Sequence, residues 1–303
     1  MSFIKNRIKT DEFYLLMNEL NSDLNALTFD VEDWYQGFIY RGIGGWEKYG
    51  SREKKNVQKI LDILDTHNTK ATFFVLGSFA ETNPEIVKLI HMKGHEIASH
   101  GHSHIHIPKL TPKDFREDIK RSKKFLEDIT NEKIIGYRAA SWSINKDSYW
   151  ALEILAEENF IYDSSIFPSS FHPFGSNYFN RFPHQIHLLN NKKIYEFPAQ
   201  VLSIGKIKFP AAGGFYLRAF PYTFSKYAIK QSAKKNFPAM VYLHPYDLDS
   251  NVPKLKTKFT FRVIRYYNLN KTEIYLKMLL TNFKFSSIKE IIKKSSSNKL
   301  IEK

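Results

Sequence analysis

Apolar and polar positions alternate along this chain in a way that predicts strands and helices in turn. Short apolar runs rich in β-branched and aromatic side chains predict strands at 26–29, 71–76, 97–99, 134–137, 194–197 and 240–243. Apolar residues at helical spacing predict helices at 56–67, 84–92, 112–129, 147–159 and 224–235. Residues 164–189 are typical of a long loop, and residues 261–294 return to helical spacing.

Repeated strand–helix alternation predicts an α/β fold with a parallel sheet, either open or closed into a barrel. In both forms the reactive side chains are expected at the carboxyl ends of the strands. Four residues of reactive type lie at the ends of predicted strands, namely Asp30, His100, Arg138 and His244. We therefore expect these four side chains to belong to one site.

Composition narrows the class of protein without identifying it. A chain of 303 residues that is 43% hydrophobic can bury a large core, and the absence of cysteine excludes disulfides and thiolate ligands. The net charge of +14 predicts attraction to an anionic glycan, a phosphorylated lipid carrier or a membrane face. No nucleic-acid-binding motif is present, so we expect no nucleic-acid partner.

The ends and apolar stretches of the chain bear on its location. The first residues lack the apolar run of a signal peptide, and no stretch approaches the roughly 20 apolar residues of a membrane span. We therefore expect a cytoplasmic protein. The sequence leaves peripheral membrane contact and a homo-oligomer open.

Two histidines and an acidic cluster predict a metal site. His100 and His104 are four residues apart, and a carboxylate from the end of the first strand would complete an N,N,O set for one divalent metal. Glu32 shares a face with Asp30 if the strand continues, whereas Asp33 is the better ligand if the chain turns first.

The remaining strand-end residues suggest acid–base chemistry. Asp30 is the candidate base, and Arg138 can hold its carboxylate through forked hydrogen bonds. His244 is the candidate proton donor to a leaving amine. Asp163 either caps a turn or orients a histidine. His102, between the two candidate ligands, is expected to point elsewhere.

A glycine pair followed by aromatic residues marks a candidate binding surface. Gly213 and Gly214 offer backbone N–H groups without side-chain obstruction, and Phe215 adds aromatic surface. This combination suits a sugar or an acyl group, although glycine pairs also mark ordinary turns.

Taken in order, these segments resemble the polysaccharide deacetylases with NodB homology, carbohydrate esterase family 4. The family's first motif, Thr-Phe-Asp-Asp, is similar to Thr-Phe-Asp-Val-Glu-Asp at 28–33. The later motifs are matched by His100 with His104, Arg138 with Ala139, Asp163 with Phe167-Pro168, and Leu243 with His244. The amino-acid sequence of these motifs is most similar to that of a subgroup associated with bacterial exopolysaccharide loci, which has an extra C-terminal segment.

The resemblance implies a distorted (β/α) barrel of the NodB type with one catalytic domain over residues 24–248. Residues 1–23 would form an N-terminal extension, and residues 249–303 a helical C-terminal extension ending in a polar tail. The implied activity removes N-acetyl groups from amino sugars of a bacterial polysaccharide or its precursor, which could be anionic or lipid-linked. A divalent metal is implied, with Zn²⁺ expected and Co²⁺, Ni²⁺ or Mn²⁺ as alternatives.

In that mechanism Asp30, steadied by Arg138, takes a proton from water at the metal, and His244 protonates the leaving amine. The resemblance also implies an oxyanion contact from backbone N–H groups after Phe29 or in the glycine stretch. An open groove would be lined by four aromatic side chains, Trp34, Tyr35, Phe171 and Tyr216.

Two departures from the family pattern keep other functions open. Val31 stands where most of the family has its metal-binding Asp, so the ligand is Glu32, which we favour, or Asp33. The fourth motif also lacks the usual Trp. The alternatives are a cyclic amide hydrolase of the allantoinase type, which would have a narrow pocket, and a non-catalytic glycan-binding protein on the same fold.

Overall fold

The computed structural model describes residues 24–188 and 191–294. The predicted N-terminal extension, 1–23, and the end of the predicted polar tail, 295–303, lie outside the described residues. The strands, in chain order, are β1 (Leu24–Val31), β2 (Thr72–Val75), β3 (Glu96–Ser99), β4 (Gly136–Tyr137), β5 (Tyr162–Asp163), β6 (His184–His187), β7 (Lys193–Glu196), β8 (Val201–Ile204), β9 (Ile207–Pro210), β10 (Met240–Leu243) and β11 (Lys284–Ser286).

The helices alternate with the strands. They are α1 (Gln36–Ile39), α2 (Glu53–Thr66), α3 (Gly77–Thr82), α4 (Pro84–Met92), α5 (Pro112–Thr130), α6 (Trp150–Glu157), α7 (Gly214–Ala219), α8 (Tyr222–Ala233), α9 (Phe259–Tyr266), α10 (Leu269–Asn282) and α11 (Ile288–Lys294). Helix α5 begins as predicted, because the Thr111 hydroxyl accepts a hydrogen bond from the N–H of Asp114 and Pro112 occupies the first turn. In the described part of the chain, no helix is both long and apolar enough to cross a bilayer.

One curled sheet organises the fold. Its strand order is β10-β1-β2-β3-β4-β5-β7-β6, and β11 pairs with the first residues of β1. All pairs in this sheet are parallel except β6 with β7. Strands β8 and β9 form a separate antiparallel hairpin. The predicted α/β class with a parallel sheet is confirmed.

Side-chain alternation along the strands separates two apolar clusters. Leu27, Phe29 and Val31 of β1 belong to the cluster that includes the apolar faces of the surrounding helices. Ala26 belongs to a second cluster, with Phe74 and other side chains from the opposite faces of the strands. Because successive residues point to opposite faces, Thr28 and Asp30 also face the second side, which is the inside of the curled sheet. The strand pattern therefore places Asp30 inside.

The C-terminal segment is part of this architecture, and it is not purely helical as the sequence predicted. Strand β11 pairs with β1, and Ile288, Ile291 and Ile292 of α11 pack in the inner cluster. The N–H groups of Ile288 and Lys289 donate to side chains at the first residues of β2 and β3. Helix α11 therefore closes the amino end of the curled sheet. A strand of three residues is too short to produce a periodic signal.

Other differences from the predicted elements are local. The predicted loop at 164–189 contains strand β6, which pairs antiparallel at the sheet edge. The predicted helix at 147–159 is shorter, because the Ser148 hydroxyl accepts a hydrogen bond from the N–H of Asn145 and makes a turn before α6.

Candidate functional site

The carboxyl ends of β1, β3, β4 and β10 meet around a cavity of about 490 Å³. Asp30, Glu32, His100, His104 and His244 line it, so strands distant in sequence contribute to one surface. Arg138 lies directly behind Asp30 and is fully buried. The sequence-based expectation that the strand-end residues share one site agrees with this geometry.

Glu32, His100 and His104 form a buried candidate metal triad. One oxygen of Glu32 and one ring nitrogen of each histidine lie within 4.8 Å of one another. The Nε2 atom of His104 is 2.6 Å from Oε2 of Glu32. Nδ1 of His100 is 2.9 Å from the carbonyl oxygen of Arg138. Because a carbonyl only accepts, Nδ1 carries the proton and Nε2 keeps its lone pair for a ligand.

This donor set fits a divalent cation. Two neutral imidazole nitrogens and one carboxylate oxygen are typical ligands of Zn²⁺ and related metals, and three protein ligands leave positions open. Among the described residues, neither Oε2 of Glu32 nor Nδ1 of His104 has a hydrogen bond of good geometry. Buried polar atoms are normally satisfied, so the triad fits the binding of an ion.

Local electrostatics favour the ligand forms of Glu32 and His100. Burial alone would raise the pKa of Glu32, but the neighbouring His104, with smaller contributions from His244 and His100, lowers it to about 2. Burial lowers the pKa of His100. The carboxyl is therefore ionised and His100 is neutral near pH 7, as metal ligation requires.

The loop between the two histidines is fixed by Asp118 of α5. Its carboxylate accepts hydrogen bonds from the N–H groups of His102 and Ser103, at 2.7 and 3.0 Å. Gly101 has φ +72°, and a Cβ atom at this position would lie 3.0 Å from Oδ2 of Asp118. This loop is not helical, so the spacing of four residues between the ligands comes from a turn held by α5.

The structure separates the two acidic alternatives for the metal. Glu32 lies on the same side as Asp30 and lines the cavity. Asp33 is also buried, but it accepts from the N–H of Arg52 at 3.4 Å and interacts with the Ser51 and Tyr35 side chains. The N–H of Gln36 donates to the Asp33 carbonyl, so the chain turns only after Glu32 has faced inward. Glu32 is the acidic member of the triad, and Asp33 points away from it.

Asp30 is held by a buried arginine. Nη1 of Arg138 donates to Oδ1 of Asp30 at 2.6 Å and to the Thr28 hydroxyl at 2.9 Å. The same guanidinium donates to the carbonyl and the hydroxyl of Ser164. Its centre lies 4.0 Å from the Phe74 ring centroid and 4.3 Å from that of Trp142. These contacts fix one oxygen of Asp30 and leave Oδ2 facing the cavity.

His244 is oriented by a carboxylate that the sequence analysis did not identify. Nδ1 of His244 lies 3.0 Å from Oδ2 of Asp247, and Arg218 donates to Oδ1 of Asp247 at 2.7 Å. Nε2 of His244 faces Asp30 and Glu32, at 3.9 and 3.8 Å from their nearest oxygens. Burial opposes the charged ring, but the hydrogen bond and charge of Asp247, aided by Glu32 and Asp30, raise the pKa of His244 above its usual value.

The predicted binding residues divide into two groups. Gly214, Phe215 and Tyr216 line the cavity. Gly213 lies behind it, because a Cβ atom there would approach the Tyr242 ring to 2.2 Å. Phe171 stacks on a neighbouring ring outside the cavity, with 58% of its surface exposed.

The prediction that Trp34 and Tyr35 line the substrate groove is wrong. Trp34 is fully buried in an apolar cluster with Phe38, and its indole N–H donates to the Gly50 carbonyl. Tyr35 stacks on Trp46, with ring centroids 4.3 Å apart. Neither side chain lines the cavity, because the chain turns outward immediately after Glu32 and packs both rings beneath the C-terminal segment.

Asp163 caps a turn, which is one of the two roles that the sequence left open, and it makes no hydrogen bond to a histidine among the described residues. It is fully buried and accepts hydrogen bonds from the hydroxyl and the N–H of Ser165. The Ser165 hydroxyl in turn accepts from the N–H of Ala139, the residue after Arg138. Burial raises the pKa of Asp163 to about 6. Asp163 therefore supports the segment that carries Arg138. His102 also lies outside the cavity, as expected, with its ring against Phe125.

Sequence reasoning missed four charged residues that line the cavity, Arg41, Arg218, Asp247 and Arg265, and it also missed Asp118, which holds the ligand loop. A signal existed for Asp247, because it follows His244 by three residues in a turn that begins with proline. Asp118 and Arg265 sit on helices, away from the strand ends that carry the histidines. No local pattern indicates their contacts.

Two family models match the chain. Residues 18–157 match the model described as polysaccharide deacetylase, and residues 164–293 match a domain of unknown function, DUF3473. A peptidoglycan-N-acetylglucosamine deacetylase of Bacillus cereus is 46% identical over 71 residues, which cover 23% of this chain and 26% of that protein. The chain thus spans about a quarter of the length of this relative.

Solved structures agree on the fold. A Mycobacterium smegmatis protein assigned to the polysaccharide deacetylases superposes with a TM-score of 0.63 at 20% identity, covering 91% of each chain. Puue allantoinase superposes with a TM-score of 0.62 at 15% identity, covering 99% of each chain. These similarities confirm the predicted NodB-type distorted barrel. Residues 18–157 therefore match the polysaccharide deacetylases of the CE4/NodB type, and residues 164–293 match a C-terminal DUF3473 domain.

Proposed function

We propose that this protein is a metal-dependent hydrolase that removes N-acetyl groups from amino sugars of a bacterial polysaccharide or its precursor. One observation carries the proposal. The Glu32–His100–His104 triad shares a cavity with a carboxylate held by arginine and with a histidine held by a carboxylate. Amide hydrolysis needs a base for the attacking water and an acid for the leaving amine, and both residue types stand beside the triad.

A divalent metal on the triad would polarise the amide carbonyl and make a nearby water more acidic. Asp30 supplies the base, because Arg138 occupies its Oδ1 and leaves Oδ2 free to accept a proton from water. The buried guanidinium also keeps the Asp30 side chain in one orientation, which lowers the cost of reaching the reactive geometry.

His244 supplies the proton for the leaving amine. Its Nδ1 is engaged by Asp247, so Nε2 faces the cavity with the transferable proton. The raised pKa of His244 increases the fraction of protonated imidazole near neutral pH. Its ring stacks on Tyr246, with centroids 4.6 Å apart and planes 12° apart, which fixes the direction of transfer.

The cavity favours a sugar over a small cyclic amide. Its wall includes Tyr40, Phe174, Phe215 and Tyr216, and its volume of about 490 Å³ suits a ligand larger than one small ring. Aromatic faces provide stacking surface for pyranose rings. Val31, the main argument for a non-catalytic binder, is offset by Glu32, which supplies the missing carboxylate to the triad.

The finer aspects of the proposal rest on the sequence. We infer a role in exopolysaccharide biosynthesis from the residues of the motifs and Zn²⁺ as the metal from the two-histidine ligand set, and a cytoplasmic location remains a proposal. Elemental analysis would test the metal. Cell fractionation would test the location.

The activity is tested by acetate release from N-acetylglucosamine oligomers, using protein loaded with Zn²⁺, Co²⁺, Ni²⁺ or Mn²⁺. We expect acetate from the wild type and none from a His100→Ala/His104→Ala variant. His187→Ala is the matched control, because this histidine is exposed and lies outside the cavity. Wild-type protein that binds metal but releases no acetate from any N-acetylated glycan would contradict the proposal.

A further inference from the structure

One wall of the cavity is basic and is built from both halves of the chain. Arg41, just after α1, and Arg265, near the end of α9, line the same cavity as Asp30 and Glu32. Lys109 adds a third cation near Tyr40, since its Nζ lies 4.6 Å from the Tyr40 ring centroid and the centre of the Arg41 guanidinium lies 5.9 Å from the same centroid. None of these three cations has a carboxylate within ion-pair distance in the part of the chain that the structure describes.

Arg265 is a buried cation with a spare donor. Only 6% of its surface is exposed. Its guanidinium lies 3.5 Å from the Tyr246 ring centroid and donates to the Trp34 carbonyl. Its Nε has no hydrogen-bond partner among the described residues. A buried charged group without an ion-paired anion is costly, and Arg265 lines the cavity, so an anionic ligand bound there would offset that cost.

The acids of the site are paired with other groups. Asp30 is paired with Arg138, Glu32 with His104, and Asp247 with Arg218. Glu53 interacts electrostatically with Arg265, and burial raises the pKa of Glu53 well above its usual value. No carboxylate in the described part of the chain lies within ion-pair distance of Arg265.

Arg41 presents a second guanidinium at the mouth. Its centre lies 4.2 Å from the Phe261 ring centroid, and Nη1 donates to the Gly37 carbonyl at 2.8 Å. Arg41 and Arg265 line one cavity, so the two guanidinium groups face the same space. An anion bound in that space would accept hydrogen bonds from both, and stacking on Phe261 orders the Arg41 guanidinium.

We propose that Arg41 and Arg265 form an anion subsite that recognises an oxyanion group, a carboxylate or a phosphate, carried by the amino-sugar substrate. This inference rests on the proposed function, because it names the class of glycan that the same cavity accepts. The subsite would place the charged substituent beside Tyr40 and Phe261 while the N-acetyl group lies at the triad. A neutral oligosaccharide would gain none of these charge-assisted hydrogen bonds.

Two matched ligand pairs distinguish the sources of the oxyanion. Hyaluronan tetrasaccharide is compared with chitotetraose for the carboxylate, and N-acetylglucosamine 1-phosphate with methyl N-acetylglucosaminide for the phosphate. Binding is measured by calorimetry on metal-free protein, and KM for acetate release on metal-loaded protein. We expect one charged ligand to bind about tenfold or more tightly than its neutral partner at low salt.

Arg41→Gln tests the subsite directly, because Arg41 is exposed and its replacement leaves the core intact. We expect this variant to bind the charged ligand no more tightly than the neutral one. Arg262→Gln is the matched control, since this arginine is exposed on α9 and does not line the cavity. A preference that survives Arg41→Gln, or that is absent in the wild type, overturns the inference.

The design separates this inference from the proposed function. Acetate release that is equally efficient from charged and neutral ligands keeps the function and overturns the subsite. Arg41-dependent binding of a charged ligand without any acetate release supports the subsite and overturns the deacetylase.

Discussion

Each end of the curled sheet holds a buried glutamate, and the two glutamates differ in how many of their oxygens have hydrogen-bond partners. At the amino end, both oxygens of Glu96 are occupied: the Thr72 hydroxyl and the Lys289 N–H donate to Oε2, at 2.6 and 2.9 Å, and the Tyr162 hydroxyl to Oε1, at 2.8 Å. At the carboxyl end, Oε2 of Glu32 has the close approach of His104 and no hydrogen bond of good geometry among the described residues.

This difference separates a structural carboxyl from a functional one. Glu96 joins three elements and caps the start of α11, and burial raises its pKa. Glu32 is held ionised by histidines that are themselves ligand candidates. A buried acid with every partner supplied by the fold stabilises the fold. A buried acid with an incomplete set of partners on a cavity wall is available to bind something else.

The largest expected effect is at Asp30. Replacing Asp30 with Asn removes the base but keeps a hydrogen-bond acceptor for Arg138, so we expect acetate release to fall by about 10²- to 10⁴-fold with metal content unchanged. Asp33→Asn is the matched control, because Asp33 is an adjacent buried carboxylate outside the cavity. Equal losses in the two variants would contradict the assignment of the base.

The next effect concerns His244 and its pH dependence. A general acid works only while protonated, so activity is lost as pH rises through the pKa of His244. Asp247 is the main group that raises this pKa against burial, and Asp247→Asn lowers it. We therefore expect the alkaline limb of the pH–kcat profile to move to lower pH, with a loss of about tenfold or more at neutral pH.

The control for this profile is Asp128→Asn, since Asp128 is an exposed acid paired with Lys124 on α5. An alkaline limb that stays in place in Asp247→Asn, in protein that is folded by circular dichroism, would exclude His244 as the titrating acid.

At the amino end we expect a stability effect without a catalytic one. Glu96→Ala leaves the Tyr162 hydroxyl and the Lys289 N–H unpaired in the interior, and should lower the free energy of unfolding by about 2–4 kcal/mol. Denaturant unfolding measures the change, and metal affinity and kcat of the folded protein should match the wild type. Loss of metal binding in Glu96→Ala would contradict the claim that Glu96 serves only the fold whereas Glu32 serves the metal site.

The smallest expected effect lies on the outer layer. Thr111→Ala removes the hydroxyl that caps α5, at a cost of about 1 kcal/mol. Helix α5 also carries Asp118, which holds the ligand loop. Thr111 precedes Asp118 by about two helical turns, so loss of the cap leaves the position of Asp118 unchanged. Unfolding measurements should show the loss, while kcat stays at the wild-type value.

Much of this arrangement could be predicted because strand ends are local features. Asp30, His100, Arg138 and His244 each follow an apolar run, and parallel strands bring their carboxyl ends to one edge. The alternation of β1 also places Glu32 on the side of Asp30. These residues needed no knowledge of distant contacts.

The rest depends on contacts between distant parts of the chain. Trp34 and Tyr35 are aromatic residues of the kind that stack on sugars, but the C-terminal segment covers them. No local sequence pattern indicates this long-range contact. The sequence could not choose between the two roles of Asp163, because its partner, the Ser165 hydroxyl, depends on how the chain turns after the strand. Arg265 acts from a segment more than 200 residues from Trp34, whose carbonyl it contacts.

The central claim is that Glu32, with His100 and His104, holds the metal, and that Asp33 does not. The most direct measurement is the affinity for Zn²⁺ of Glu32→Gln and Asp33→Asn beside the wild type, by competition with a chelating dye. Loss of a residue that merely supports a ligand costs about 10- to 100-fold in affinity, so loss of a ligand should cost at least that much. We predict such a loss in Glu32→Gln and an affinity close to wild type in Asp33→Asn. The reverse order, or equal affinity in all three proteins, would contradict the account.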